Sequence, residues 1–181
     1  MDFLELAKQR FSCRGFADKE VEDDKIEKIL EAAKLAPTAR NQQPQRILVL
    51  TEEEQLKKLS NCTQYGWNAP VIMIIFYDKE ASYKRDKYDN KEFGDIDASI
   101  VTTHMMMEIQ NLGLGTTWIG SFDPQKIMEN YDVPSNWVPV AILPIGYPSE
   151  EIKPSNWHFD RKDISDFTYW NNCSRRGNIN E

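Results

Sequence analysis

The stretch Val-Ile-Met-Ile-Ile-Phe at residues 71–76 (VIMIIF) is the strongest structural signal in the chain. No polar residue interrupts it, and it is rich in β-branched side chains, which is typical of a strand buried on both faces. Six residues are far too few to cross a bilayer. We therefore predict a central strand here and arrange the rest of the chain around it.

Two amphipathic helices precede this strand. The first is short and lies close to the N-terminus, and residues 11–16 after it look extended. The second begins after Asp23 or Asp24, either of which can cap it, and carries its apolar residues on one side. It must stop near Ala36, because Pro37 disfavours helical backbone in the residue before it.

Between the second helix and the central strand lies a polar loop followed by a strand and a helix. Residues 37–45 (PTARNQQPQ) form the loop, and residues 46–50 are the predicted strand. Thr51 and Glu54 have the spacing of a capping box, which predicts a helix after that strand. Residues 78–94, beyond the central strand, are dense in charge and tyrosine and predict an exposed excursion.

The second half of the chain continues the mixture of helices and strands. A long helix is predicted from about Asp95 to Leu112, and Gly113 ends it. Asp123 and Pro124 mark the start of another helix, with a cap followed by a proline in the first turn. The predicted strands here span residues 116–119 and 138–145. Since strands and helices do not alternate strictly, we predict an α+β fold with helices around a sheet.

Composition excludes several classes of protein. The chain has 181 residues, 40% of them hydrophobic and 11% aromatic, as expected of one globular domain. A net charge of −7 argues against binding to nucleic acid or to anionic membranes. Three cysteines and two histidines without metal-ligand spacing indicate neither a disulfide framework nor a metal site. The acidic, amphipathic N-terminus is not a signal peptide, which favours a cytoplasmic location.

Arg10, Ser12 and Arg14 are the first group of residues that could bind a ligand. In an extended segment alternate residues share one face, so two guanidinium groups flank a hydroxyl there. This strip suits a phosphate-bearing ligand. An ordinary surface strip, whose arginines pair with nearby acids, is the alternative, and spacing alone favours that alternative.

Two further segments could contact a ligand. Residues 37–44 form a loop whose shape two prolines restrict and whose amides could bind a heterocyclic or polyhydroxylated ligand. Residues 113–121 (GLGTTWIGS) contain glycines that allow close approach of the backbone to a flat ligand. For residues 37–44 the alternative is a plain helix-to-strand loop. For residues 113–121 it is a helix C-cap followed by a tight turn. The C-cap accounts for Gly113, but it accounts less well for Gly120 and Ser121.

Five blocks, in order, resemble the nitroreductase family. They are RFSCRGF at residues 10–16, the helix end and loop APTARNQQPQ at residues 36–45, NLGLGTTWIGSFDPQKI at residues 111–127, VPVAILPIGYP at residues 138–148 and the segment FDRKDI at residues 159–164. No single block is specific, but together they cover residues 2–170. The resemblance implies a nitroreductase-like domain at residues 1–170, with residues 171–181 as a polar C-terminal tail.

The resemblance implies a central mixed, mostly antiparallel sheet flanked by helices, in an intertwined homodimer with two FMN sites. Arg10 and Ser12 match the positions that meet the FMN phosphate and ribityl chain, and Arg14 matches the basic position at the flavin pyrimidine edge. The loop that the partner subunit supplies in the family corresponds to Pro37, Thr38, Ala39 and Asn41. The backbone beside the flavin corresponds to Ile119, Gly120 and Ser121. Arg161 and Lys162 match a second phosphate anchor, and Gln64 falls where the family has a flavin-contacting amide.

Four positions depart from the family pattern. Phe11 stands where many members have Arg or His, and Gly120 where some have Glu. Ala39 replaces a frequent serine, which removes one hydroxyl from the ligand's surroundings. Gln45 replaces the usual tryptophan after Gln-Pro, which changes the local packing.

The function that the resemblance implies is a two-electron transfer from NAD(P)H through FMN to a nitro, quinone or similar acceptor, by a ping-pong mechanism. Such chemistry belongs to the cofactor and needs no protein nucleophile. Cys13 is accordingly interpreted as a small buried residue, and His104 as a residue of the core or of an interface. Two alternatives stay open: a flavoprotein with a different redox or flavin-handling role, and a non-catalytic FMN-binding or interaction protein.

Overall fold

The computed structural model describes residues 2–174. Its main helices are α1 (Phe3–Gln9), α2 (Asp23–Leu35), α3 (Glu53–Leu59), α4 (Gly94–Asn111), α5 (Pro124–Asn130) and α6 (Asn156–Phe159). Its strands are β1 (Gln45–Leu50), β2 (Val71–Asp78), β3 (Lys84–Arg85), β4 (Lys91–Glu92), β5 (Gly115–Thr116) and β6 (Trp137–Gly146). The short 3₁₀ turns are Ala39–Asn41 and Ile164–Asp166. This mixture of elements confirms the predicted α+β class.

The principal sheet has the strand order β1-β2-β6-β5, and each of these neighbouring pairs is antiparallel. The pairing of β2 with β6 shifts register between Ile75 and Phe76, which marks a β-bulge. Ser12 adds a parallel bridge to Thr116 at the edge formed by β5. The sheet is therefore mixed and mostly antiparallel, as predicted, and β2 lies in its interior.

Alternate residues of β2 feed two hydrophobic cores. Met73 and Ile75 pack against α2 and α4 on one face, whereas Ile74 and Phe76 pack on the other face with residues of α3 and α5. All four side chains have no exposed surface. The continuous apolar run in the sequence thus corresponds to a strand covered on both sides, even though its neighbours are antiparallel.

Helix α4 crosses the sheet and carries the longest apolar face of the molecule. The residues that it buries are Gly94, Asp97, Ala98, Val101, Thr102, Met105, Met106 and Ile109. Gly113 follows this helix with a φ of 73°, a left-handed conformation that favours glycine, so the predicted helix end is confirmed. His104 is exposed, so of its two predicted placements the core is wrong, and the interface stays a prediction.

Two predicted helix caps are wrong. Helix α2 begins at Asp23, so Asp23 and Asp24 lie in its first turn, and Glu22 at the cap position makes no side-chain bond to the helix. Carboxylates in a first turn still favour the positive end of the helix dipole. Helix α3 likewise follows Glu52 and has no side-chain cap, so the Thr51 capping box does not form. By contrast, Asp123 caps α5 as predicted, by accepting bonds from two backbone amides.

The predicted strand at residues 116–119 is shorter than expected. The paired strand β5 covers two residues, Gly115 and Thr116, and Ile119 forms an isolated bridge to Ile142 of β6. The predicted excursion at residues 78–94 contains the two-stranded β3–β4 hairpin. Its base is closed by Tyr83 and Phe93, whose rings meet edge to face with centroids 5.3 Å apart.

The C-terminal region lies on the surface. Residues 171–174 are exposed, and residues 175–181, the rest of the predicted polar tail, lie outside the described residues. Within residues 2–174, no helix combines the length and the apolar character that crossing a membrane requires.

We expect the substitution Gly94→Ala to destabilise the fold. A Cβ atom at Gly94 would lie 2.0 Å from the ring of Tyr77, and that ring is buried between β2 and the start of α4. Overpacking of this kind costs about 1–3 kcal/mol, which outweighs the roughly 1 kcal/mol gained in helix propensity. Urea denaturation measures the loss. Gly66→Ala is the matched control, because its Cβ would meet nothing closer than 3.9 Å; equal stability of both variants would contradict the expectation.

Candidate functional site

The segment from Arg10 to Arg14 extends the edge of the principal sheet. The Cys13 amide donates to the carbonyl of Thr116 at 3.0 Å, and Ser12 forms the parallel bridge to the same residue. Gly115 permits this contact, because a Cβ atom there would lie 2.7 Å from Cys13 Sγ. The segment is thus extended, as predicted. In such backbone Arg10, Ser12 and Arg14 share one side of the segment and Cys13 points to the other, into the core.

Arg10 lies close to a second arginine that is far away in the sequence. Burial of its guanidinium, and secondly the positive charge of Arg161, lower the pKa of Arg10. Within residues 2–174, none of Arg10, Arg14 and Arg161 forms a salt bridge. The described residues thus contain no ion pair of the kind that the ordinary alternative for Arg10 and Arg14 requires. Guanidinium groups that no acid among the described residues neutralises suit an anion.

Arg161 reaches this position from the C-terminal segment. Its Nη1 donates to the carbonyl of Trp157 at 3.1 Å, which holds the guanidinium against the end of α6. Lys162 is exposed beside it. Arg161 thus lies near enough for its charge to act on Arg10, although the two residues lie at opposite ends of the described chain.

A hydrogen bond links the turn at residues 119–121 to the segment that contains Gln64. Ile119 exchanges two backbone hydrogen bonds of 3.0 Å with Ile142, which fixes the turn on β6. The hydroxyl of Thr63 donates to the carbonyl of Ser121 at 2.8 Å. Gln64, the next residue, is exposed and donates to the hydroxyl of Tyr65 at 2.7 Å. Two segments that are distant in sequence thus present exposed polar groups side by side, and Gly120 is exposed between them.

The loop at residues 37–43 has an unusual backbone. Three of its residues other than glycine, Arg40, Asn41 and Gln43, have positive φ values of 51°, 55° and 49°. Left-handed backbone is unfavourable for such residues unless the surrounding structure holds it. The Gln43 amide donates to Thr38 Oγ1 at 3.0 Å and so closes the loop on itself.

No hydrogen bond or ion pair within residues 2–174 links this loop to the Arg10–Arg14 segment. Pro37 and Asn41 are exposed, and Thr38 and Ala39 are partly so. Of the predicted site residues, the structure therefore joins Arg10 to Arg161 and residues 119–121 to the Gln64 segment. It leaves the loop at residues 37–43 as a separate surface of the same chain.

Sequence reasoning missed Asp97, which is in direct contact with this loop. The Ala39 amide donates to Asp97 Oδ1 at 2.9 Å, and the side chain of Asp97 is almost completely buried in α4. A signal was present in the sequence: Asp97 precedes Val101 and Met105 by one and two helical turns, and so falls on the buried face of the helix. An acid on an apolar stripe indicates a buried partner.

Nucleophilic and metal chemistry find no support in the described residues. Cys13 is fully buried, and burial raises the pKa of its thiol, so it is the small core residue that the sequence predicted. No cluster of acidic, histidine and cysteine residues in the described part of the chain could hold a metal ion. What the arrangement can do is bind an anion at Arg10 and Arg161.

Comparison with known proteins shows which family this chain resembles. A family model described as "Nitroreductase family" matches residues 7–64 and 62–147. A solved nitroreductase family protein from Clostridium difficile 630 is 39% identical, with a TM-score of 0.89 over 95% of this chain and 99% of that chain. An FMN-dependent nitroreductase from Clostridium difficile R20291 is 31% identical, with a TM-score of 0.76 over 93% and 99% of the two chains.

A curated relative from Bacillus subtilis, an FMN reductase that uses NAD(P)H, is 28% identical over 77% of this chain and 63% of its own length. The family model spans most of the described sheet and includes the Arg10–Arg14 segment, the loop at residues 37–43 and the turn at residues 119–121. The chain therefore belongs to the nitroreductase family.

Proposed function

We propose that this protein is an FMN-dependent oxidoreductase that takes two electrons from NAD(P)H and passes them to a nitro, quinone or similar small acceptor. The observation that carries the proposal is that Arg10 and Arg161, whose positive charges interact, form no salt bridge within residues 2–174 of this acidic protein. Such a pair suits a phosphate ester. Family membership supplies the flavin to which that phosphate belongs.

The residues present fit FMN at its phosphate end. Arg10, Arg161 and the neighbouring Lys162 would hold the phosphate, and the Ser12 hydroxyl would bond the phosphate or the ribityl chain. Ser12 is partly exposed on the same side of the extended segment as the two arginines that flank it in the sequence, so these groups can act on one ligand.

Residues on the same segment and on the neighbouring turns fit the flavin ring. Arg14 would face the pyrimidine edge, where its permanent positive charge favours an anionic ring. The backbone of Ile119, Gly120 and Ser121 would border the reactive edge of the ring, since Gly120 has no side chain to prevent close approach. The exposed amide of Gln64 would add a hydrogen bond beside it.

Bound FMN would supply the redox chemistry, by accepting two electrons from NAD(P)H and then donating them to the acceptor in a ping-pong sequence. The protein contributes binding, orientation and charge. Cys13 fits this division, because it is buried and burial raises the pKa of its thiol.

We propose that the functional unit is a homodimer in which Pro37, Thr38, Ala39 and Asn41 complete the FMN site of the partner subunit. Large apolar side chains that are at least 62% exposed support this: Phe3, Leu4, Leu35, Trp157, Phe159, Ile164 and Phe167. Contiguous exposed apolar patches mark protein–protein interfaces. We further propose that residues 1–170 form the FMN-binding domain in the cytoplasm, with residues 171–181 as a tail.

The central prediction concerns the purified protein. We expect it to bind FMN, to show the flavin absorption bands and to oxidise NADH or NADPH steadily when a nitroaromatic or quinone acceptor is added. Absorption spectroscopy, FMN fluorescence titration and NAD(P)H oxidation assays measure these properties. Flavin binding without turnover of any acceptor would favour a flavin-handling role, and failure to bind added FMN would refute the proposal.

A second prediction concerns Arg14. We expect Arg14→Ala to weaken FMN affinity by roughly 10- to 100-fold, the range typical of a lost charge-assisted hydrogen bond. We also expect it to lower the flavin reduction potential, because a positive charge that favours the reduced anion is removed. Lys34→Ala, which removes an exposed cation paired with Glu31 on α2, is the control. An unchanged potential in a redox titration would refute this role of Arg14.

A third prediction concerns assembly. We expect sedimentation equilibrium to give the mass of two 21.1 kDa chains. We expect the double substitution Trp157→Ser and Phe159→Ser to shift the protein towards monomers and to weaken FMN binding, because it removes two highly exposed aromatic side chains. A wild-type monomer that still binds FMN tightly would contradict a site shared between subunits.

A further inference from the structure

Asp97 is a buried acid whose side chain makes one hydrogen bond within residues 2–174, and that bond leads out of its own helix. It is 1% exposed, and its Oδ1 atom accepts the Ala39 amide at 2.9 Å. Its other oxygen, Oδ2, is buried and has no partner among the described residues. The bond joins α4 to the loop at residues 37–43.

Core packing does not explain an acid at this position. Val101 and Met105, one and two turns further along the same face, are completely buried apolar residues. A buried carboxyl with only one partner costs stability, since neither a second hydrogen bond nor an opposite charge compensates for the lost hydration. Burial accordingly raises the pKa of Asp97, and the Ala39 amide only partly opposes this. An apolar residue would fill the position at lower cost.

The loop at residues 37–43 needs an external anchor to hold one position. Its internal bonds, such as that from the Gln43 amide to Thr38, fix the shape of the loop but not where it lies on the molecule. Arg46 holds its C-terminal end through the carbonyl of Gln43 at 3.2 Å. The bond from Ala39 to Asp97 is the hydrogen bond to a side chain outside the loop that the described structure gives to its N-terminal half, and the Arg40 guanidinium also lies 5.5 Å from the centre of the Tyr83 ring.

We propose that Asp97 is a positioning residue for the FMN site, which acts by fixing the backbone of Ala39 and with it the flavin-facing part of the loop. The inference rests on the proposed function, in which this loop completes the FMN site of the partner subunit. Asp97 touches neither cofactor nor acceptor; it acts through the loop. Placing a strong hydrogen-bond acceptor under the loop leaves Oδ2 without a partner among the described residues, which lowers the stability of the fold.

The experiment compares Asp97→Ala, which removes the acceptor, with Asp97→Asn, which keeps a carbonyl oxygen at the same distance along the side chain. The first measurement is hydrogen–deuterium exchange of residues 37–43 in the full-length protein without added FMN. We expect at least roughly tenfold faster exchange in Asp97→Ala and near wild-type exchange in Asp97→Asn. The second measurement is FMN affinity, which we expect to fall about tenfold in Asp97→Ala alone.

Thr102→Val is the matched control. Thr102 is also fully buried in α4, but its hydroxyl bonds Ala98 of the same helix at 2.7 Å, so its loss should change neither loop exchange nor FMN affinity. If Asp97 had only a structural role, the Ala and Asn variants would both have a lower melting temperature. They would also lose loop protection and FMN affinity to the same extent.

Two results would overturn the inference while leaving the proposed function intact. One is FMN binding by wild type together with unchanged binding and loop exchange in Asp97→Ala. The other is an Asn variant that loses both properties to the same extent as the Ala variant. Failure of wild type to bind FMN would refute the proposed function, and the role of Asp97 in an FMN site with it.

Discussion

Burial of both faces of β2 is the constraint on which the position of every other element depends. A strand without an exposed face requires a layer on each side, and the described structure supplies α2 and α4 on one side and α3 and α5 on the other. The strand must also be paired along both edges, which β1 and β6 provide. Once these neighbours are in place, the edges left for ligand binding are those of β1 and β5.

The site forms at the β5 edge because the strand there is short. Two residues of β5 pair with β6, and the Arg10–Arg14 segment occupies the free edge through Thr116. Because the segment next to this sheet edge is irregular, its side chains remain available to a ligand. The same segment contributes to the core through the buried side chain of Cys13. The residues that alternate with Cys13 lie on the other side of the segment and form part of the proposed phosphate site.

The second half of the proposed site depends on the start of α4. That helix packs on β2 through its buried face and so carries Asp97 to the underside of the loop at residues 37–43. In the proposed homodimer, the loop derives its position from the core of its own subunit, while its exposed groups face the neighbouring subunit. Binding residues often lie on a loop that a rigid core holds in position.

Much of this protein could be predicted from local sequence. Periodicity identified β2, α2 and α4, because burial repeats with the geometry of a strand or helix and needs no knowledge of the partner. Pro37 and Gly113 fixed two helix ends through steric limits that act within one or two residues. The caps of α2 and α3 were wrong, because several acids or hydroxyls near each start could serve and only packing of the helix decided where it begins.

The sequence by itself determined the central strand, the helical periodicities, the conformational limits at proline and glycine, and the order of motifs that signals the family. Only the tertiary structure decided which distant residues meet: Arg10 with Arg161, Thr63 with Ser121, and Asp97 with Ala39. The reason is physical. Apolar or polar character favours the burial or exposure of a side chain, but its contact partner depends on how whole elements pack around β2.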